Sequence, residues 1–241
     1  MDCSGLELPD AQLELLKALK ETGKTVIAVV ICGRPLVLTQ VCELADGVIL
    51  GFYPGPRGGQ AIAEVISGRV APSGRLPVSL PRSTGQVPVY YNYKNSYRAM
   101  TYMDEEIGPL FPFGYGLGYG TFEWGTCSLN TERCNVAALE NKGLTISFSV
   151  KNTSERGGYI VPQIYVTDVA ASTVRRVKEL KAFQKVWLDA GQERTVSLQL
   201  GKEAFCLWNQ KMKYVAEPGV FQIELSDSAQ TIWKGEFTLC I

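Results

Sequence analysis

Apolar residues in the first half of the chain follow two different rhythms, one helical and one continuous. "LPDAQLELLKALKETG" sets Leu13, Leu16, Leu19 and the neighbouring Leu15 on one broad face, with Pro9 and Asp10 at the entry and Gly23 at the exit, which predicts an amphipathic helix. "TVIAVVIC", residues 25–32, is a short, β-branched apolar run, the pattern of a strand covered on both faces. A second helix is expected from Pro35 to Ala45, a second buried strand in "GVILGF" at 47–52, and a third helix in "GGQAIAEVISG", closed by Gly68. Strands and helices in this order imply parallel strands joined by helical crossovers, hence an α/β layered domain with a mainly parallel sheet.

After residue 120 the period becomes two. "LTISFSVKNTS", "YIVPQIYVTD", "RTVSLQL" and "GVFQIELSD" alternate apolar and polar positions between turn residues, as in an antiparallel sandwich. About seven strands fit between Thr121 and Ile241, and the pattern resembles an immunoglobulin-like or fibronectin type III-like module. Between the halves lies "FPFGYGLGYGTF", with glycine at 114, 116, 118 and 120. A phosphate-binding glycine loop opens a helix, whereas this one leads into the β-patterned "TFEWGTCSL". It reads as a joint, in which glycines admit close backbone approach and Phe111, Phe113, Tyr115 and Tyr119 fill a seam.

Length agrees with that division: 241 residues suit two domains, 1–120 and 121–241. Twenty-four basic residues balance twenty-four acidic ones, so no net field attracts nucleic acid. No apolar run approaches a bilayer's thickness and "MDCSGLELPD" lacks a signal-peptide pattern, so the chain as written is expected to be soluble and cytoplasmic, without a membrane partner. The seven cysteines are odd in number and widely spaced. They fit small buried apolar residues in a reducing compartment, with a disulfide such as Cys127 with Cys134 as the alternative.

The chain has no histidine. Ser-His-Asp and Cys-His arrangements and the common zinc sites all need imidazole, so any hydrolysis must rest on carboxylates; no cofactor and no metal are expected. One loop stands out, "YPGPRGG" at 53–59, because it follows the second strand, where ligands sit in parallel sheets. Its glycines let a ligand approach the backbone and Arg57 offers a planar donor fork; a plain connector with a solvated arginine is the competing reading.

Three segments, "GFYPGPRGGQAIAEVISGRVAPSGRLPVSLPRS", "VPVYYNY" and "PLFPFGYGLGYGTFEW", together resemble the C-terminal α/β sandwich domain of glycoside hydrolase family 3, the β-glucosidases and β-xylosidases. "VKNTSERGGYIVPQIYV", "RRVKELKAFQKVWLDAGQERTVSLQL" and "EPGVFQIELSDSA" resemble the fibronectin type III-like module that ends many of those enzymes. Gly118 and Gly120 depart from the serine and threonine common there. The resemblance implies a retaining β-glycosidase whose aspartate nucleophile lies on an N-terminal (β/α)8 barrel, and this chain has no room for eight βα units. It also implies that the acid/base glutamate precedes Met1, because "DCSGLELPDAQ" matches the following family segment at Asp2, Leu6, Leu8, Pro9 and Gln12.

No residue of the chain is therefore assigned a catalytic role; Asp46, Glu64 and the acidic run Asp104–Glu106 are weighed and set aside. The expected partners are the barrel and a β-linked glucoside or xyloside. Candidate substrate contacts are Tyr53 and Arg57 on the loop, with Tyr91 and Tyr97 in the aromatic segment 87–103. Those tyrosines suit stacking on a sugar or on the barrel, or packing against the chain's own domains. The principal reading is the C-terminal part of a glycosidase that needs its barrel; the alternative is a stand-alone module that binds carbohydrate or protein.

Overall fold

The computed structural model describes residues 4–94 and 102–241, so Asp2, Cys3, Tyr97 and the centre of the aromatic segment lie outside the described residues. The described residues form two compact units. One is drawn from the chain up to Val70, from Leu76–Tyr91 and from the stretch ending at Phe113; the other from Ala71–Arg75, from the stretch beginning at Asn92 and from Gly114–Ile241.

The first unit contains α1 (Asp10–Glu21), β1 (Ile27–Val30), α2 (Thr39–Leu44), β2 (Gly47–Leu50) and α3 (Gly58–Ile66). Helix α1 begins where the Pro9 carbonyl accepts the Gln12 and Leu13 N–H groups, and ends where Gly23 turns to φ +72°. Strands β1 and β2 pair in parallel, with Ile27 opposite Gly47 and Val30 opposite Leu50. Asp46 fastens their amino-terminal end: Lys20 Nζ and the Val26 N–H each donate to it at 2.8 Å. The core is Leu16, Val30, Leu36, Leu38, Val41 and Leu80.

Three expectations are corrected here. Strand β1 is covered on one face only: Val30 is buried and Ala28 half-buried, while Ile27, Val29 and Ile31 are 44%, 38% and 52% exposed. On α1, likewise, Leu16 reaches the core, but Leu15 and Leu19 stand largely in solvent. The physical reason is the small number of layers: β1 and β2 pair only with each other, and a two-stranded pair has too little partner surface to cover both of its faces. Helix α2 starts four residues later than Pro35, because the Val37 N–H is engaged by the Leu6 carbonyl instead of a helical turn.

The second unit contains β3 (Phe122–Leu129), β4 (Arg133–Asn135), α4 (Val136–Lys142), β5 (Leu144–Asn152), β6 (Gly158–Ile160), β7 (Gln163–Asp168), β8 (Glu179–Phe183), β9 (Val186–Leu188), β10 (Glu193–Leu200), β11 (Cys206–Trp208), β12 (Tyr214–Ala216), β13 (Gly219–Asp227) and β14 (Gln230–Cys240). Seven strands have five or more residues, the number the periodicity suggests; five more are three-residue segments too short to show a period. One sheet runs β10-β5-β3 and the other β4-β14-β13-β7-β8, with β6-β9 and β11-β12 as separate ribbons. All pairings are antiparallel except β4 with β14.

The alternation is what builds this core. Leu144, Ile146, Phe148 and Val150 of β5 are at most 1% exposed, and Phe221, Ile223 and Leu225 of β13 at most 2%. Helix α4 is announced by Asn135, whose side chain accepts the Ala138 N–H at 2.8 Å.

Gly114 to Gly120 opens no helix and leads into β3, as expected. Gly114, at φ +82°, is buried where a Cβ would strike the side chains of Gln163 and Tyr165. Gln163 Nε2 donates to the Gly114 carbonyl at 3.0 Å, and the Tyr165 hydroxyl donates to Gln163 Oε1 at 2.6 Å. Nearby the Gly116 N–H donates to Ser228 Oγ, and Arg75 pairs with Asp227 at 2.7 Å, both side chains nearly buried. The six described cysteines, Cys127 and Cys134 among them, are free thiols; burial pushes the Cys127 thiol up to about 11.

Candidate functional site

A parallel pair brings both of its strand-to-helix connections to one end. After β1 come Cys32, Gly33 and Arg34; after β2 come Phe52, Tyr53 and the turn to Arg57. The Gly51 N–H still bonds the Val30 carbonyl at 2.9 Å, which holds the roots of the two loops together. Tyr53 then leans across to the first loop, where Gly33 leaves room: a Cβ on Gly33 would collide with the Tyr53 hydroxyl and ring. The ring remains 81% exposed.

Arg57 stands immediately before α3 and its carbonyl accepts the Ala61 N–H at 3.1 Å. Its guanidinium is exposed and makes no ion pair among the described residues. One loop therefore offers a bare aromatic face and an uncommitted donor fork beside the first turn of α3, whose N–H groups carry a partial positive charge. Arg34, which pattern reading did not single out, belongs to the same end and donates to the Gly5 carbonyl at 2.7 Å. The signal that would have found it is its place after the first parallel strand, the criterion already applied to Arg57.

Tyr91 is differently placed. It is half-buried and stacks on Phe113, with ring centroids 4.1 Å apart and planes 12° from parallel, so it packs within its own unit. Tyr97 lies outside the described residues.

Four carboxylates of this unit are tied to neighbours. Hydrogen bonds from Lys20 and from the Val26 N–H keep Asp46 below the usual aspartate range. Gln60 donates to Glu64 at 2.9 Å, Ser83 to Glu105 at 2.9 Å, and Arg82 pairs with Glu106 at 2.8 Å. Among the described residues no cluster of three His, Cys, Asp or Glu is arranged to hold a metal ion, and no helix is long and apolar enough to cross a membrane.

Comparison with known proteins agrees with this architecture. Residues 1–119 match the model of the glycosyl hydrolase family 3 C-terminal domain and residues 160–229 that of the fibronectin type III-like domain. A periplasmic β-glucosidase of Salmonella typhimurium is 41% identical across 98% of the chain, and a β-xylosidase of Formosa agariphila 40% identical across 95%. The chain spans about a third of their length, 32% in both. A crystal structure of a β-glucosidase from Listeria innocua in complex with isofagomine superposes over 98% of the chain and 34% of that enzyme, with TM-score 0.90 at 36% identity. A complex of a mutant of that enzyme with laminaribiose gives TM-score 0.91. The two domain matches, and relatives about 40% identical that align along nearly the whole chain, establish that the chain belongs to glycoside hydrolase family 3 and corresponds to the C-terminal portion of such an enzyme.

Proposed function

We propose that the chain serves a retaining β-glycosidase acting on terminal β-glucosides or β-xylosides, and that it works only together with an N-terminal (β/α)8 barrel. Retaining hydrolysis needs two carboxyl groups roughly 5 to 5.5 Å apart, one attacking the anomeric carbon and one first donating and then accepting a proton. Asp46, Glu64, Glu105 and Glu106 are tied to lysine, backbone, glutamine, serine or arginine partners, which supports a division of labour in which the barrel carries the nucleophile. Domains 1–120 and 121–241 are the corresponding division, with β1 and β2 part of a larger, mainly parallel sheet whose further helical layer covers Ile27, Val29 and Ile31 in the whole enzyme.

Within that reading the chain contributes a substrate-holding loop. The observation that carries it is the pairing of an exposed Tyr53 ring with an unpaired Arg57 at the carboxyl end of the parallel strands. Tyr53 presents an apolar face to the C–H side of a pyranose, and Arg57 donates paired hydrogen bonds to its hydroxyls or orients a carboxylate from the barrel. Tyr91 and Tyr97 remain the further candidate contacts. Six free thiols favour a reducing compartment for the enzyme, and the periplasmic relative is the observation against it.

Joining the chain to a family 3 barrel and measuring hydrolysis of aryl β-glucosides and β-xylosides tests the proposal. The chain alone is expected to give no turnover and the joined protein to give it. Arg57→Ala should lower activity while moving stability by less than about 0.5 kcal/mol, the usual range for an exposed loop. Full catalytic efficiency in that variant would make the loop a connector.

A further inference from the structure

The β11–β12 hairpin of the second unit presents a second aromatic surface, far along the sequence from the Tyr53 loop. Its root is anchored: Cys206 and Leu207 are buried, and Cys206 pairs with Ala216 and Leu207 with Val215. Its tip is bare, with Trp208 60%, Met212 76% and Tyr214 48% exposed. Trp208 and Tyr214 are direct cross-strand partners, with ring centroids 5.3 Å apart and planes inclined by 41°.

The rings are held in place before any ligand arrives. Asn209 Oδ1 accepts the backbone N–H groups of Lys211 and Lys213 at 2.9 and 3.1 Å, and the Asn209 N–H donates to the Lys213 carbonyl at 3.0 Å. The Tyr214 hydroxyl donates to the Glu203 carbonyl at 3.2 Å, which ties that ring to the residues before β11. Lys211 and Lys213 are exposed and form no ion pair among the described residues, whereas Lys202 is paired with Glu140 at 2.8 Å.

We infer that this hairpin binds acidic polysaccharide, a chain of pyranose rings bearing uronate carboxylates. Two adjacent aromatic faces match the apolar C–H sides of successive sugar rings, and their mutual inclination suits a twisted chain better than one flat disc. Two unpaired cations beside them provide the charge complement of carboxylates on that chain. The choice of a glycan rests on the family reading; the choice of an acidic one rests on Lys211 and Lys213. This surface would hold the polymer and leave hydrolysis to the barrel.

The test titrates the whole 241-residue chain with uronate-bearing xylan fragments, with neutral xylan fragments of the same length, and with phosphatidylserine vesicles. Binding to the acidic fragments is expected, weakening as salt rises. Trp208→Ala and, separately, the double change Lys211→Gln and Lys213→Gln should each reduce affinity about tenfold or more. The lysine variant keeps every ring and every backbone group of the turn hydrogen bonds, so its loss is read without doubt about folding. Equal binding of neutral xylan, binding to vesicles in place of glycan, unchanged affinity in the lysine variant, or no binding at all would each overturn the inference. None of these outcomes touches hydrolysis by the barrel-joined protein, which tests the family reading separately.

Discussion

The two units of this chain use apolar residues in different ways. In the β-rich unit nineteen buried apolar side chains from Leu139 to Leu239 join in one core, and Phe205 packs on both Phe221 and Phe237 with ring centroids 5.1 and 5.2 Å apart. The α/β unit buries six, while Leu15, Leu19, Ile27, Val29 and Ile31 remain in solvent. A sandwich closes on itself because two sheets turn their apolar faces toward each other. A parallel sheet needs layers on both faces, and two strands with three helices do not supply them. One unit is therefore expected to carry its own stability and the other to borrow it.

Residues 114–241 expressed alone should unfold cooperatively in urea, whereas residues 1–113 alone should show a broad transition and bind a hydrophobic dye. Circular dichroism across the titration checks both. A sharp two-state curve from 1–113 would break the comparison. Within the sandwich, Phe237→Ala should cost about 3–5 kcal/mol, since the ring is fully buried against two others.

A smaller effect contrasts two glycines of similar backbone. Gly114 lies at φ +82° with Gln163 and Tyr165 against it, and Gly23 at φ +72° with open space around it. Both alanine variants meet the left-handed strain, about 1–3 kcal/mol. Only Gly114→Ala adds a collision with buried groups, so its loss, read as a shift in urea midpoint, should clearly exceed that of Gly23→Ala. Equal losses would mean that Gln163 and Tyr165 yield freely.

How much was legible in the sequence depended on the length of each pattern. Nine residues of β5 and nine of β13 alternate cleanly, and α1 has both a start and a stop signal, so these elements follow from periodicity and caps. Strands of three residues, such as β6 and β9, contain less than two periods, and they exist because a neighbouring backbone offers hydrogen bonds. The start of α2 was hidden for a similar reason, a tertiary bond from Val37 to Leu6. At the candidate site, Tyr53 and Arg57 could be singled out because they follow a strand. The space that Gly33 leaves for Tyr53 joins residues twenty positions apart, and nothing local in the sequence records it. Exposure of Ile27, Val29 and Ile31 was illegible because a β-branched run says what a strand prefers to be buried against, not whether that partner is present.

Protonation gives a subtler contrast within the sandwich. Burial pushes the Asp168 carboxyl above its usual range, and this outweighs the attraction of Arg175 at 3.4 Å. A raised carboxylate binds its proton more tightly in the folded state, so its contribution to stability is full below the unfolded value and is lost as pH rises through the folded one. From about pH 4 upward, ordinary aspartate having a pKa near 3.9, the chain should lose part of its stability through this residue. Asp168→Asn should flatten that stretch of the profile, measured as urea midpoints at successive pH values. An unchanged slope would show that Arg175 compensates the buried charge fully.

The smallest effect is the most pointed, because it asks what the exposed face of the α/β unit is for. Leu15 lies on α1 at 61% exposure, and glutamine has nearly the helix propensity of leucine, so Leu15→Gln removes apolar surface and little else. In the chain alone the urea midpoint should move by less than the equivalent of about 0.5 kcal/mol. If that face is covered in the whole enzyme, the same change in the barrel-joined protein should cost about 1.5–3 kcal/mol, the worth of a fully buried leucine. The ratio between the two measurements separates a face that is merely apolar from one that is normally buried. Equal, small losses in both proteins would leave Leu15 a surface residue and place the borrowed stability elsewhere, on the β1 face of Ile27, Val29 and Ile31.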